Sequence, residues 1–394
     1  MASFKISAPG RIVLSGEHIA AYKKQFLATS LNLRTHLEFC ELPNTSENII
    51  RIEFLTLNLA KDIPLKDVKN FYYENVEDII SNPINLNDYV KYLITVVKCM
   101  WTTNFERFSL QMFFFLLYSV AHHEHLMIKP FHVKVSTDML MGAGLGSSTS
   151  FAVCLAGCFL HWQRLQSGCC HTEFNDADLA SIKKYTISCE KSMQEFAFPD
   201  VDAHICTYGQ IAKCQRINHE IYFINSTDMV QINILLIDSN IHESKSVRAQ
   251  QVATLNDTAH NFQSILNELE HEAITMHYYL NSLSSVIRLT HLYGDEHPNY
   301  NSLISKVMLC IDNNQRLLNI NNLSTEIIEN ICEIARTHGL AGKLTGFGGN
   351  YVYIFLPPDS TLYDITNFSA HLHACHFNSL IWTTINSNGV RIVN

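Results

Sequence analysis

The chain has 394 residues, 47% of them apolar, enough to bury a large core and to favour two domains over one. A formal charge of −9 argues against a nucleic-acid or anionic-membrane partner, so any bound anion must be held locally. The 12 cysteines form no CxxC pair and read as reduced thiols of a cytoplasmic protein.

The opening MASFKISAPGR lacks the apolar core of a signal peptide. Alternation predicts strands in FKISAPGRIVLS (4–15), FLATSLNLRTHLEF (26–39) and IIRIEFLTLNL (49–59). From about 88 to 127 the pattern turns helical. Its most apolar part, FSLQMFFFLLYSV at 108–120, is too short to span a bilayer and reads as a core helix. FHVKVS (131–136) is a predicted strand and 149–165 a buried helix.

Residues 177–197 place Leu179, Ile182, Thr186, Cys189, Met193 and Phe196 on one helical face, with Glu190 beside it. A boundary near 229 precedes the strand INILLID (232–238). Helices over 246–340 then lead to KLTGFGGN and the strand YVYIFL. This predicts an α+β protein with parts 1–229 and 230–394 that pack closely. His122, His123 and His125, and His371, His373 and His376 around Cys375, lack a zinc-fixing spacing and read as solvated or core-satisfied histidines.

The stretch GAGLGSSTS at 142–150, between a strand and a buried helix, carries the chemistry. Three glycines within five residues imply that the backbone passes close to a ligand, and phosphate fits best. A Walker loop is excluded because no lysine follows Gly146. A dinucleotide turn is disfavoured, since the loop reads GxGxG and no acidic residue lies between Asp138 and Glu173. What remains is an anion cradle built from backbone N–H groups of Gly142 to Ser147 backed by a helix N-terminus, with the Ser148 hydroxyl available to magnesium. A plain helix cap at Ser147 to Thr149 is the alternative.

Three segments in order, APGRIVLSGEH (8–18), GAGLGSS (142–148) and KLTGFGG (343–349), resemble the motifs of the GHMP small-molecule kinases over essentially the full chain. The resemblance implies a ribosomal S5 domain 2-like N-terminal domain joined to a ferredoxin-like C-terminal domain, with the active site between them. It implies that Gly142, Ala143, Gly144, Leu145, Gly146, Ser147 and Ser148 wrap the ATP phosphates, with Asn58 near the adenine. Ser148 and Glu190 would hold Mg2+, Glu195 being the alternative carboxylate. Asp202, in FPDVDAHICTYG, aligns with the catalytic aspartate ahead of a short strand, and Arg11 stands beside the phosphoryl group where the family has lysine. Glu17, His18 and Gly346 fall in the acceptor-binding motifs.

Further departures are Asp200 at a glycine position, Phe347 and Asn350 in the third loop, and GEHIAAYKK in place of an HG after GEH. SLNLRT (30–35) and KLTG resemble the branch that phosphorylates mevalonate, which implies a cytoplasmic homodimer inhibited by prenyl diphosphates, a peroxisomal visit staying open. Galactose and phosphomevalonate are the rival acceptors, and a nucleotide-binding sensor without catalysis is the rival of another class. The chemistry makes matching demands: phosphoryl transfer is mostly positioning and charge stabilisation, and magnesium takes hard oxygen ligands.

Overall fold

The computed structural model describes residues 1–43, 48–74, 79–140, 142–169, 172–193, 199–218, 220–226, 229–241, 245–293, 298–345 and 351–393. Among the described residues twelve strands form one mixed sheet: β1 Ser3–Ser15, β2 Gln25–Glu41, β3 Ile49–Phe54, β4 Leu59–Pro64, β5 Phe131–Thr137, β6 Ile211–Ile217, β7 Glu220–Asn225, β8 Ile232–Asp238, β9 Ala341–Thr345, β10 Tyr351–Phe355, β11 Leu380–Ile385 and β12 Arg391–Val393. The main path runs β4-β3-β5-β2-β11-β8-β10-β9. The long β2 is its spine, pairing with β1, β5 and β6 and touching β11 at Leu31 and Ile385. That contact joins the two halves, and β12 returns to pair with β1.

The α+β expectation holds, with three local corrections. IIRIEFLTLNL is not one strand but the hairpin β3–β4, broken by a 3-10 turn at Leu55–Leu57 and by Asn58 at φ 51°. Asparagine tolerates the left-handed region better than the leucines and threonine around it, so the chain turns there. The helical stretch of 88–127 divides into α2 Pro83–Tyr92 and α3 Asn104–His123, following α1 Leu65–Glu74. Thr103 starts α3 with a reciprocal capping box to Glu106. These helices make the crossover that the parallel pairing of β3 with β5 requires.

The third correction concerns Asp202. PDVDAHICTY, expected only to precede a short strand, is itself helix α6, Pro199–Tyr208, and the short strand β6 follows it. Proline at its start and Asp200 and Asp202 in its first turn suit a helix N-terminus, where the missing proline N–H is harmless and carboxylates meet the positive end of the dipole. The helices α4 Ser147–Gln166 and α5 Asp176–Met193 precede it. In the second half come α7 Lys245–Thr258, α8 Phe262–Tyr293, α9 Tyr300–Ile320, α10 Glu326–Thr337 and α11 Leu362–Ala374. The core under β1, β2 and β5 takes in Phe113, Phe114 and Phe115 of α3 and Trp162 of α4, all fully buried. Among the described residues no helix is long and apolar enough to cross a membrane.

His204 on α6 couples this packing to pH. Its ring stacks on Phe223 at 3.7 Å, Nε2 lies 2.9 Å from Asn225 Oδ1, and Nδ1 lies 3.5 Å from Lys183 Nζ. Burial, with the Lys183 ammonium adding to it, lowers the imidazole pKa from 6.5 to about 4. The folded state therefore binds fewer protons than the unfolded chain between these values, and stability falls as pH drops from about 6.5 towards 4. The loss is on the order of 3 kcal/mol. Urea unfolding of His204→Gln should show a shallower decline over that window than the wild type; parallel curves would remove His204 as the cause.

Candidate active site

The site begins at a bulge. Between Pro9 and Arg11 the register of β1 against β2 shifts, where Pro9 lacks a donor for the ladder. The bulge brings β1 against the glycine loop, and Arg11 N donates to Leu145 O at 2.8 Å. A Cβ on Gly10 would lie 2.8 Å from that same carbonyl oxygen, so only glycine permits the approach. Gly142, Gly144 and Gly146 have φ of 76°, 81° and 80°, the left-handed region that glycine enters without strain.

The Arg11 side chain, 1% exposed, binds in three directions. Nε donates to Asp202 Oδ1 at 2.6 Å, Nη2 to Asp202 Oδ2 at 2.5 Å, and Nη1 to Gly144 O at 3.0 Å. One guanidinium thus fastens the glycine loop to a carboxylate 191 residues away in sequence. Burial opposes the guanidinium's charge, but Asp202, with smaller contributions from Cys206 and Glu190, outweighs it and its pKa is raised. The same balance places both carboxylates within electrostatic reach of one cation. Asp202 also lines a cleft of about 360 Å3 with Gly142, Gly144, Gly146, Ser147 and Ser148, closed on the far side by Asn104, Phe105, Arg107 and Phe108 of α3.

The hydroxyls at the start of α4 fan out, because successive helical side chains diverge by about 100°. Ser147 and Ser148 line the cleft; Thr149 Oγ1 donates to Glu190 Oε1; Ser150 Oγ donates to Ala8 O at 2.7 Å. Glu190 is 2% exposed, so the residue expected to border the apolar face of α5 is turned inward. The Ser148 hydroxyl and the Glu190 carboxylate are hard oxygen donors, one neutral and one anionic, and fit a magnesium ion that also takes phosphate oxygens and waters. Among the described residues no group of three or more His, Cys, Asp or Glu is arranged to hold a metal, so a site made wholly of such side chains is not an alternative there.

Other predicted residues lie differently. Glu17, expected at the acceptor, is fully buried and receives a hydrogen bond from the equally buried Lys343 Nζ. His18 is 7% exposed at φ 71° and precedes a short 3-10 turn, Ile19–Tyr22. Asn58 is exposed at the β3–β4 turn; beside it Phe54, Thr56 and Leu57 line a small hollow that Ser147 also borders. Asp200 points to the surface and pairs with Lys191 at 3.3 Å. Gly346, Glu195, Phe347 and Asn350 lie outside the described residues. Arg107 and Lys343 were not anticipated: Arg107 belongs to no motif, and the partner of Lys343 lies 326 residues away.

The Arg11 geometry makes a prediction. Lysine keeps the charge but offers one ammonium in place of a fork that holds two Asp202 oxygens and a carbonyl at once. Arg11→Lys should retain measurable activity. Arg11→Met should lose most of it and about 3–5 kcal/mol of stability, because Asp202 is left buried and unpaired. Full activity in Arg11→Met would detach Arg11 from the chemistry.

Residues 114–209 match the family model of the GHMP kinases N terminal domain. The chain is 25% identical to the mevalonate kinase of Dictyostelium discoideum, over 98% of this chain and 96% of that protein. It is equally 25% identical to the mevalonate kinase of Homo sapiens, over 98% and 94%. Its fold superposes on the crystal structure of L. major mevalonate kinase in complex with R-mevalonate with a TM-score of 0.65, at 12% identity, covering 99% of this chain and 97% of that one. The matched segment 114–209 contains the glycine loop, Glu190 and Asp202.

Proposed function

We propose that this chain, which belongs to the GHMP kinases, transfers the γ-phosphoryl group of ATP to the 5-hydroxyl of mevalonate, giving 5-phosphomevalonate and ADP for isoprenoid synthesis. The observation that carries the reading is the single cleft in which Asp202 meets the glycine loop, in a chain alike over nearly its whole length to mevalonate kinases. In this reading the N–H groups of Gly142 to Ser148 and the N-terminus of α4 hold the phosphates, and Arg107 adds a cation at the cleft wall. Asp202 orients the acceptor hydroxyl and takes its proton, while Arg11 holds that carboxylate against the loop. Magnesium, when bound with ATP, neutralises charge on the phosphoryl oxygens, and Ser148 and Glu190 are the residues that would hold it.

We assign Glu17 to holding Lys343 and leave His18 and Gly346 on the acceptor side, with Asn58 near the adenine. The division into 1–229, which carries the ATP site, and 230–394 belongs to the same proposal. So do the homodimer, feedback inhibition by prenyl diphosphates and a cytoplasmic location, all supported by the family likeness. The deciding experiment is ADP release from the purified chain with ATP, Mg2+ and, in turn, mevalonate, phosphomevalonate, galactose or homoserine. Turnover with mevalonate alone is expected. Turnover with galactose or phosphomevalonate would move the chain to another branch, and ATP binding without turnover on any acceptor would make it a sensor.

A further inference from the structure

Glu190 raises a question that the phosphate loop does not answer. It is a carboxylate at 2% exposure, and burying such a group is costly unless donors surround it. One donor is Thr149 Oγ1, which bonds to Glu190 Oε1 from a position 1% exposed. Thr149 immediately follows Ser148, so the helix turn that presents one magnesium ligand also grips the other, 41 residues further along the chain.

We propose that Thr149 is a positioning residue for the divalent cation: its hydroxyl fixes the orientation of the Glu190 carboxylate and thereby sets metal affinity. The inference rests on the reading of Glu190 and Ser148 as the magnesium ligands. Three features of the site support it. Thr149 has two heavy atoms on Cβ and sits in a helix, so few side-chain rotamers are open to it and its hydroxyl direction is well defined. The next hydroxyl, Ser150 Oγ, is anchored on Ala8 O at 2.7 Å, which pins this turn of α4 to β1 beside the Arg11 bulge. Arg11, on the bulge that this turn is pinned against, lies within electrostatic reach of Glu190, so the hydroxyl that grips the carboxylate sits in the same fixed frame as the guanidinium. Hydrogen-bonding partners of metal-binding carboxylates typically change metal affinity or activity by about 10–100-fold when removed.

The test is Mn2+ binding to the ADP complex of the full chain, followed by the loss of the free-ion electron paramagnetic resonance signal, in wild type, Thr149→Val, Thr149→Ser and Glu190→Gln. Thr149→Val removes the hydroxyl at nearly constant volume and should weaken Mn2+ binding about tenfold or more. It should raise the Mg2+ concentration for half-maximal ADP release to match, with kcat at saturating Mg2+ close to wild type. Thr149→Ser restores the donor and should recover most of the affinity, a rescue that a packing role would not produce. If the valine variant does not fold, Thr149→Ala reads the same quantity. Wild-type or tighter Mn2+ affinity in the hydroxyl-free variant, beside a weakened Glu190→Gln, overturns the role of Thr149 and leaves the ligand reading standing. Unchanged affinity in Glu190→Gln overturns the ligand reading and this inference with it.

Discussion

Asp202→Asn should still fold, less stably because the buried Arg11 guanidinium loses its counter-charge, should bind ATP, and should turn over at least about a hundredfold more slowly, the cost expected of losing a general base. Both carboxylate oxygens face Arg11 donors at 2.5 and 2.6 Å, and the residue is 4% exposed yet reaches the cleft lined by the glycine loop. Asparagine keeps the volume and one acceptor, but its amide nitrogen turns a donor towards the guanidinium and cannot take a proton from the hydroxyl. Asp200 is the internal control. It sits two residues earlier in the same helical turn, pairs with Lys191 at the surface and should retain most activity as Asp200→Asn. Kinetics and nucleotide titrations on both variants decide the matter; an inactive Asp200→Asn beside an active Asp202→Asn would move the catalytic role to Asp200.

Lys343→Met should destabilise the fold by about 3–5 kcal/mol, the usual loss when one partner of a buried ion pair is removed. Lys343 and Glu17 are both 0% exposed, and the ammonium also donates to Leu344 O at 2.8 Å and lies 5.5 Å from the Tyr353 ring centroid. Burial pushes the Glu17 carboxyl up and the Lys343 ammonium down in pKa, and each partner works against the other's shift. Among the described residues Glu17 Oε2 has no hydrogen-bond partner, so without Lys343 the carboxylate would stand buried with little to hold its charge. Adding Glu17→Gln to Lys343→Met removes that orphaned charge and should recover much of the loss. Urea unfolding of both variants without nucleotide measures this, and a double variant no more stable than the single one would show that packing, not charge, sets the cost. The pair also ties the end of β1 to β9, beside the bonds from Thr345 Oγ1 to Val13 O and from the Tyr353 hydroxyl to Leu14 O. The single variant should therefore disturb the strand that leads into the third glycine loop.

How much of this was legible in the sequence follows from the range of each interaction. The glycine loop and the helix behind it could be read directly, because left-handed φ values at Gly142, Gly144 and Gly146 and the apolar run of α4 are local properties of those residues. The extended character of β1 and β2, the alternation of β5 and the amphipathic face of α5 are likewise local, although β1 is buried continuously from Ile6 to Ser15. The site residues Arg11, Ser148, Glu190 and Asp202 were named from motifs, but what each one touches was beyond reach. The β3–β4 hairpin was missed because a single asparagine, not a glycine or proline, makes the turn. The helix around Asp202 is not legible locally, because proline with nearby aspartates is a signal that turns and helix starts share.

By itself, then, the sequence determined the glycine loop, the principal strands and helices on either side of it and the charged residues available nearby, since each depends on residues a few positions apart. Only the tertiary structure decided how those charges pair. Arg11 meets Asp202 across 191 residues, Thr149 meets Glu190 across 41, and Glu17 is drawn to Lys343 across 326. In a buried setting an ionised group must find a partner, and which one it finds depends on which strands and helices the fold brings together, which no local pattern records.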